Sequence, residues 1–138
     1  MWAVADATAR RDSQDSAMSS HARRIVVAYD GSEGSDRALD AAADLVGYGS
    51  SLSVVHVRRP GTPESRAVDF AGERMLRRRM IARYLEPCGQ IATEVVEAAR
   101  SIGADLVVVG RRGADDGTLG SVSSEIVRYA PCDVLIVR

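Results

Sequence analysis

Glycines and hydroxyl residues are concentrated in one stretch of the sequence, residues 106–124, which reads LVVVGRRGADDGTLGSVSS. An apolar run ends at Gly110, and further glycines lead to the pair Gly120-Ser121. Glycine lets a backbone approach a ligand closely, and the N–H groups at the start of a helix attract anions. The stretch therefore has the chemistry of a phosphate cradle. A turn-rich loop between a strand and a helix is the alternative interpretation, and the residues alone leave it open.

A carboxylate follows a second apolar run, because Asp30 comes shortly after residues 25–28. Such a side chain can contact a ribose, a base edge or a metal ion. It can also close an Asx turn with Gly31 and Ser32 that opens the next helix. Taken alone, the local sequence favours the turn.

Other residues capable of chemistry carry weaker signals. Arg111 and Arg112 can reach phosphates or remain solvated, and Asp115 and Asp116 can hold Mg²⁺ through a nucleotide or serve as loop charges. His56 lies among valines, which indicates a core or strand-end histidine rather than a catalyst. With two histidines and no lysine in the chain, a hydrolytic triad is disfavoured.

The composition excludes several classes of site. The 138 residues carry a formal net charge of −1, which gives no general attraction to nucleic acid or to a membrane surface. All 18 basic residues are arginine, so a Walker-type or Schiff-base lysine is excluded. The two cysteines, Cys88 and Cys132, lack the spacing of a zinc site or a redox pair. No apolar run approaches the length of a membrane span, and the first residues lack the apolar core of a signal peptide.

The first 22 residues mix Ser, Asp, Arg and Ala without a sustained apolar period, which predicts a disordered tail. Residues 23–138 then form a single domain. Met18 is an alternative start to Met1, and an arm that packs on a partner through Trp2 is the alternative to a tail.

Strand and helix patterns alternate through the rest of the chain. Strands are predicted at residues 25–28, 51–57, 80–86, 105–110 and 133–137. Helices are predicted from Ser32 or Ser35 to Gly47, and at residues 64–78, 90–103 and 121–130. Nearly continuous apolar strands between helices predict an α/β fold, a doubly wound parallel sheet with helices on both faces. Ligands bind such sheets outside the carboxyl ends of the strands, where the strand order reverses.

Three segments carry a family resemblance. RRIVVAYDGSEGSDRALDAA, SVVHV, and ADLVVVGRRG followed by GSVSSEIVRYAPCDVLIV occur in this order, and over residues 23–138 the chain resembles the universal stress protein family. The resemblance implies a five-stranded, Rossmann-like parallel sheet of the adenine nucleotide alpha-hydrolase type, with strand order 3-2-1-4-5. It places the switch point between Asp30 and Gly110. It also implies a cytoplasmic protein of the stress response without a catalytic residue, with slow ATP hydrolysis as a weakly supported alternative.

One branch of that family binds ATP through the pattern Gly-x2-Gly-x9-Gly-[Ser/Thr]. Gly110 and Gly113 match its first pair, and Gly120 and Ser121 match its last pair. Asp30 matches the acidic residue that contacts the nucleotide and would lie near nucleotide-bound Mg²⁺; no metal site of the protein's own is implied. The full set of nucleotide-binding residues implied by the resemblance is Ala28, Asp30, Val57, Val109, Gly110, Gly113, Gly120, Ser121, Val122 and Ser123.

The chain departs from the ATP pattern in one place. Six residues, ADDGTL, separate Gly113 from Gly120, where the pattern has nine. ATP or another adenine nucleotide, such as AMP or a cyclic nucleotide, is the expected ligand. The alternative is a protein of the same fold that binds no nucleotide and acts through protein contacts.

The last predicted strand would be an apolar edge in a monomer, and such edges are a liability unless they are paired. Family members often pair this strand with its copy across a two-fold axis. The expectation is a homodimer through Val134, Leu135, Ile136 and Val137, with no nucleic-acid or membrane partner.

Overall fold

The computed structural model describes residues 2–5, 23–111 and 119–138. The strands in these ranges are β1 (Trp2–Ala5), β2 (Arg24–Ala28), β3 (Ser51–Val55), β4 (Arg83–Leu85), β5 (Leu106–Gly110) and β6 (Asp133–Val137). The helices are α1 (Glu33–Leu45), α2 (Ala67–Arg77), α3 (Ile91–Ile102) and α4 (Ser121–Tyr129). None of these described helices combines the length and the apolar character that crossing a bilayer requires.

The strands form one parallel sheet in the order β1-β6-β5-β2-β3-β4. From β2 to β6 this is the predicted order 3-2-1-4-5, and the α/β fold class is confirmed. The chain runs outward from β2 through β3 to β4, then returns to β5 and runs outward the other way. The order therefore reverses between β2 and β5, as predicted.

The central strands are buried on both faces because helices cover each side of the sheet. Val27 and Val108 pack in a cluster with α1 and α2. Val26 and Val107 point to the other face and pack in a second cluster with α3 and α4. Successive side chains of a strand point to opposite faces of the sheet, so each central strand contributes to both hydrophobic clusters.

Two predicted strands are at least two residues shorter in the structure. The second predicted strand ends at Val55 rather than at residue 57. The third is reduced to Arg83–Leu85, because α2 closes in a turn in which Met80 N–H bonds to Met75 O and Arg79 adopts a φ of 56°. Residues 80–82 therefore follow the end of α2 and are not part of a strand.

The N-terminal residues also depart from the prediction. β1 pairs in parallel with β6, in a register that places Trp2 beside Val134 and Ala5 beside Val137. This strand corrects the predicted disordered tail at residues 2–5, while residues 6–22 lie outside the described part of the chain. It also corrects the expectation that β6 is an open edge, because β1 occupies the backbone positions on that side.

Charged side chains join the outer surfaces of α1 and α2. Asp36, Asp40 and Asp44 recur every four residues on α1, so they share one helix face. Arg74 donates two hydrogen bonds to Asp40, at 2.9 and 2.8 Å, and Arg78 pairs with Asp44. The Arg74 guanidinium holds the pKa of the Asp40 carboxyl below its usual value. This network fixes α2 against α1 on the face of the sheet opposite α3 and α4.

Candidate functional site

A cleft opens at the carboxyl ends of β2, β3 and β5, at the reversal of strand order. It contains about 510 Å³ of space free of protein atoms, a figure that includes its open mouth, and apolar and polar groups both line it. Its lining is Ala28, Tyr29, Asp30, Ser32, Ser35, Val55, His56, Val57, Ile91, Val95, Val109, Gly110, Val122 and Ser123. Seven of the ten residues implied by the family resemblance therefore meet here: Ala28, Asp30, Val57, Val109, Gly110, Val122 and Ser123.

The remaining three implied residues lie elsewhere. Gly120 is the N-cap of α4 and Ser121 is its first residue, so both are near the cleft without lining it. Gly113 belongs to residues 112–118, which lie outside the described part of the chain, as do Arg112, Asp115 and Asp116. The described residues hold no group of three or more His, Cys, Asp or Glu side chains that could bind a metal ion.

One wall of the cleft is apolar. Val55, Val57 and Val109 come from the strand ends, and Ile91 and Val95 come from α3. These aliphatic side chains form a surface suited to the flat face of an aromatic ring, since burying apolar area is favourable for both partners. The sequence analysis missed the contribution of α3. The amphipathic pattern of residues 90–103 shows that one face packs on the sheet, but it does not show that the first turn reaches the strand ends.

The opposite wall is polar and is built from the loop after β2. Asp30 accepts a hydrogen bond from Ser32 N–H at 2.9 Å, which forms the Asx turn that the sequence favours. Gly31 adopts a φ of 86° between them, in the region that suits glycine. Ser32 then caps α1 by accepting from Ser35 N–H at 3.2 Å, and Ser35 Oγ accepts from Asp30 N–H at 3.3 Å. These bonds hold the exposed Asp30 carboxylate at the mouth of the cleft. Its contact with a ligand stays a prediction.

Gly110 has a packing role that the sequence does not reveal. A Cβ atom at this position would lie 2.6 Å from the carbonyl oxygen of Gly34 and 3.3 Å from the amide nitrogen of Ser35. Both distances are shorter than ordinary van der Waals contacts, so the first turn of α1 reaches the end of β5 only because residue 110 is glycine. The motif glycine is therefore required by the fold whether or not a ligand also approaches it.

The start of α4 forms the floor near β5. Gly120 caps this helix with extended backbone, φ −66° and ψ 161°, and it has no side chain to accept from the first N–H groups. Those groups lie outside the helical hydrogen-bond ladder and carry partial positive charge, which suits an anionic group of a ligand. Ser123 is 1 % exposed, and its hydroxyl donates to Gly110 O at 2.9 Å. Its hydroxyl proton therefore links α4 to β5, in addition to any contact its oxygen makes with a ligand.

His56 lies at the end of β3, buried to 8 % exposure, as the sequence indicates. Its Nδ1 atom is 3.0 Å from the carbonyl oxygen of Tyr29. A carbonyl only accepts hydrogen bonds, so Nδ1 carries the hydrogen. The ring thereby joins the ends of β2 and β3. The sequence analysis did not place it in the cleft, because a histidine among valines gives no signal for that position.

Tyr29 connects the cleft to the charged network on α1. Its hydroxyl donates to Asp36 at 2.7 Å. Burial raises the pKa of the Tyr29 hydroxyl well above its ordinary value of 10.0, and the bond to the Asp36 carboxylate raises it further. The hydroxyl is therefore a neutral donor at physiological pH, with a structural role in fixing α1.

A family model and a curated relative match most of the chain. The model described as "Universal stress protein family" matches residues 21–86 and 88–138. A protein from Thermus aquaticus named "Universal stress protein in QAH/OAS sulfhydrylase 3'region" is 34 % identical, across 84 % of this chain and 98 % of its own length.

Solved structures match over a similar range. A crystal structure of a universal stress protein in complex with cAMP superposes with a TM-score of 0.70 at 28 % identity, covering 84 % of this chain and 97 % of that one. A universal stress protein family protein from Arabidopsis thaliana with AMP bound superposes with a TM-score of 0.65. It is 17 % identical over 83 % of this chain and 90 % of its own, so that likeness supports the fold alone.

Proposed function

The chain belongs to the universal stress protein family, and we propose that it binds an adenine nucleotide in the cleft between β2 and β5 and acts in the stress response as a cytoplasmic binding protein. The observation that carries this proposal is the pairing of an apolar wall with a polar mouth at the reversal of strand order. The apolar wall suits a base, and the helix start at Gly120 suits a phosphate.

The polar residues would orient the ligand. Asp30, held by its Asx turn, is placed to accept hydrogen bonds from a ribose hydroxyl. If a nucleotide binds together with Mg²⁺, Asp30 is the acidic residue in the described lining of the cleft whose carboxylate can face the ion. The described cleft offers no nucleophile paired with a base, so binding without turnover is the function proposed.

Smaller ligands suit the chain better than ATP does. The segment between Gly113 and Gly120 is three residues shorter than the ATP pattern, and it would contribute fewer backbone groups to a triphosphate. The similar structure with cAMP holds a ligand with one phosphate. We therefore expect AMP and cAMP to bind at least as tightly as ATP.

The test is isothermal titration of ATP, AMP and cAMP, each with and without Mg²⁺, into the purified chain. The blocking variant is Ala28→Leu, because Ala28 is a partly buried cleft residue and the larger side chain would fill the space against Val57. The matched control is Ala104→Leu, which adds the same atoms at a partly buried position just before β5, at the opposite end of that strand. We expect binding by the parent and by the control, and at least a tenfold loss in Ala28→Leu.

A second function is favoured by Gly110. Because packing against Gly34 accounts for this motif glycine without a ligand, a protein that keeps the fold and acts only through protein contacts is consistent with the same residues. It would be favoured over nucleotide binding if the folded parent bound none of the three nucleotides at millimolar concentration. Equal binding by the parent and by Ala28→Leu would instead place the nucleotide outside the cleft.

A further inference from the structure

Exposed arginines and exposed apolar side chains are interspersed where α2 ends and the chain enters β4. Leu76 and Ile81 are 76 % and 93 % exposed, so both present most of their apolar surface to water. Arg77, Arg79 and Arg83 are exposed as well, and none of the three has an ion-pair partner among the described residues. These five residues make up the basic edge. Apolar surface that is rimmed by charged side chains is typical of a site where another molecule binds.

The charge of the basic edge is not offset by neighbouring acids. Residues 74–85 contain five arginines and no acidic residue. Two of the five, Arg74 and Arg78, pair with Asp40 and Asp44 of α1. The other three carry positive charge that no described acidic side chain pairs with. An anionic partner is therefore electrostatically complementary to this surface, although the net charge of the whole chain is −1.

Arg79 occupies a position at which glycine would suit the backbone better. At the end of α2, Met80 N–H bonds to Met75 O at 2.9 Å. Arg79 N–H bonds to Leu76 O at the same distance, and the two bonds form a Schellman motif. The motif requires a left-handed residue, and Arg79 supplies it with a φ of 56°. Because a side chain is unfavourable in this conformation and glycine is not, the turn does not explain the arginine, whereas a contact made by its guanidinium would.

β4 is the last strand on its side of the described sheet, so part of its backbone is unpaired. Leu85 O accepts a hydrogen bond from His56 N–H at 2.9 Å, so the backbone groups of Leu85 face the β3 side. Successive residues of a strand direct their backbone groups to opposite sides, so the N–H and C=O of Tyr84 face outward. An extended polypeptide offers an acceptor and a donor at the spacing that pairs with these two groups.

We propose that the basic edge and the outer side of β4 bind an extended segment of a partner protein in which acidic and apolar residues alternate. The segment adds to the sheet beside β4, with its carboxylates near the arginines and its apolar residues against Leu76 and Ile81. A second copy of this chain does not fit, because pairing β4 with itself would bring the arginines of both copies together. A phosphate surface, as in nucleic acid or a lipid bilayer, complements the arginines but lacks the regular donors and acceptors that pair with a strand.

The basic edge lies away from the candidate cleft. Ile81 and Arg83 are at the amino end of β4, whereas the cleft is at the carboxyl ends of the parallel strands. The partner segment therefore binds whether or not the cleft is occupied, and its binding can be measured without a nucleotide.

Fluorescence anisotropy of a labelled probe with the full chain tests the proposal. The probe is a short peptide of alternating glutamate and valine, and a control peptide has lysine in place of each glutamate. The surface variant is Arg77→Glu with Arg83→Glu. The matched control variant is Arg59→Glu with Arg128→Glu, which makes the same charge change at two exposed positions outside the basic edge. We expect the parent and the control variant to bind the glutamate peptide, and the surface variant to bind it at least tenfold more weakly. No binding by the parent, equal binding by the two variants, or equal binding of the lysine peptide would overturn the proposal.

Arg79→Gly separates binding from folding. It should raise the melting temperature, because glycine suits a φ of 56°, and it should weaken binding of the glutamate peptide at least threefold, because a guanidinium is lost. A purely structural role for Arg79 would change the stability and leave the affinity as it is. Unchanged binding by this variant would therefore contradict the role given to the side chain.

Amide exchange of the unmodified chain tests the backbone pairing, so its result does not depend on whether any variant folds. The Tyr84 amide should become protected when the glutamate peptide is added to saturation. Unchanged exchange at this amide would refute the addition of a strand beside β4. Tighter binding of phosphatidylglycerol vesicles or of an oligothymidylate than of the peptide would overturn the choice of a polypeptide as the partner.

Discussion

The substitution Gly110→Ala separates a packing requirement from a ligand requirement at the end of β5. The new Cβ would lie 2.6 Å from Gly34 O, and real Cβ atoms essentially never approach another atom within 3.0 Å, so the first turn of α1 or the end of β5 must move. The neighbouring atoms, which belong to Gly34 and Ser35, are backbone atoms and cannot rotate away. Overpacking of this kind costs about 1–3 kcal/mol of unfolding free energy. For a chain of this size, that lowers the melting temperature by about 3–4 °C per kcal/mol.

The assay is urea and thermal unfolding followed by circular dichroism, without nucleotide, so that the result reports packing alone. The control is Gly72→Ala, because Gly72 lies inside α2 and a Cβ there would meet nothing within 4 Å. It should stabilise the chain by about 0.5–1 kcal/mol through helix propensity. If Gly110→Ala left the unfolding free energy within about 0.5 kcal/mol of the parent, the close approach of α1 to β5 would not require glycine, and the reasoning would fail.

Three further substitutions test the contacts around the cleft. Ser123→Ala should cost about 1 kcal/mol in urea unfolding, because its hydroxyl donates to a buried carbonyl of β5; an unchanged midpoint would show that the bond contributes nothing. Tyr29→Phe should cost about 1 kcal/mol by removing the bond to Asp36, and a stabilised variant would contradict that role. Asp40→Asn should cost about 0.5–1 kcal/mol at pH 7, since its pair with Arg74 is one-third exposed and partly screened. The Arg74 guanidinium lowers the pKa of Asp40, so the carboxylate's stabilisation is present above its ordinary pKa of 3.8 and is lost as pH falls below it. The variant should therefore lose less stability than the parent between pH 5 and pH 3 (roughly the titration range of a carboxyl), and parallel pH profiles would refute the assignment.

The sheet order and most of the cleft could be predicted from the sequence because both depend on short-range patterns. Apolar runs at residues 25–28 and 106–110 predict buried parallel strands, and the resemblance then fixes which of them are neighbours. The carboxyl ends of neighbouring strands meet at one edge, so Asp30 and Gly110 were predicted to lie near each other. Their presence in the same cleft follows from this topology.

Contacts between distant elements could not be predicted in the same way. The approach of Gly34 to Gly110 depends on the angle at which α1 leaves the sheet, which no periodicity encodes. The pairing of Trp2–Ala5 with β6 joins segments more than 125 residues apart in sequence. The residues that follow Ala5 show no sustained apolar period, so the local pattern gave no sign of a strand in this region. Ile91 and Val95 belong to a helix that any α/β fold would contain, and only the tertiary structure places them in the cleft.

The end of β5 shows why a glycine motif alone does not identify a ligand site. Gly110 lets α1 pack, and its carbonyl accepts the buried hydroxyl of Ser123, so two elements that wall the cleft are held by one residue. A fold that lost its ligand would keep both residues for stability. The substitutions that discriminate between ligand binding and packing are therefore those that fill the cleft without touching this junction. Ala28→Leu is such a substitution, because Ala28 lies on β2 and is only partly buried. If this variant lost nucleotide binding at unchanged stability, the loss would be evidence that a nucleotide occupies the cleft.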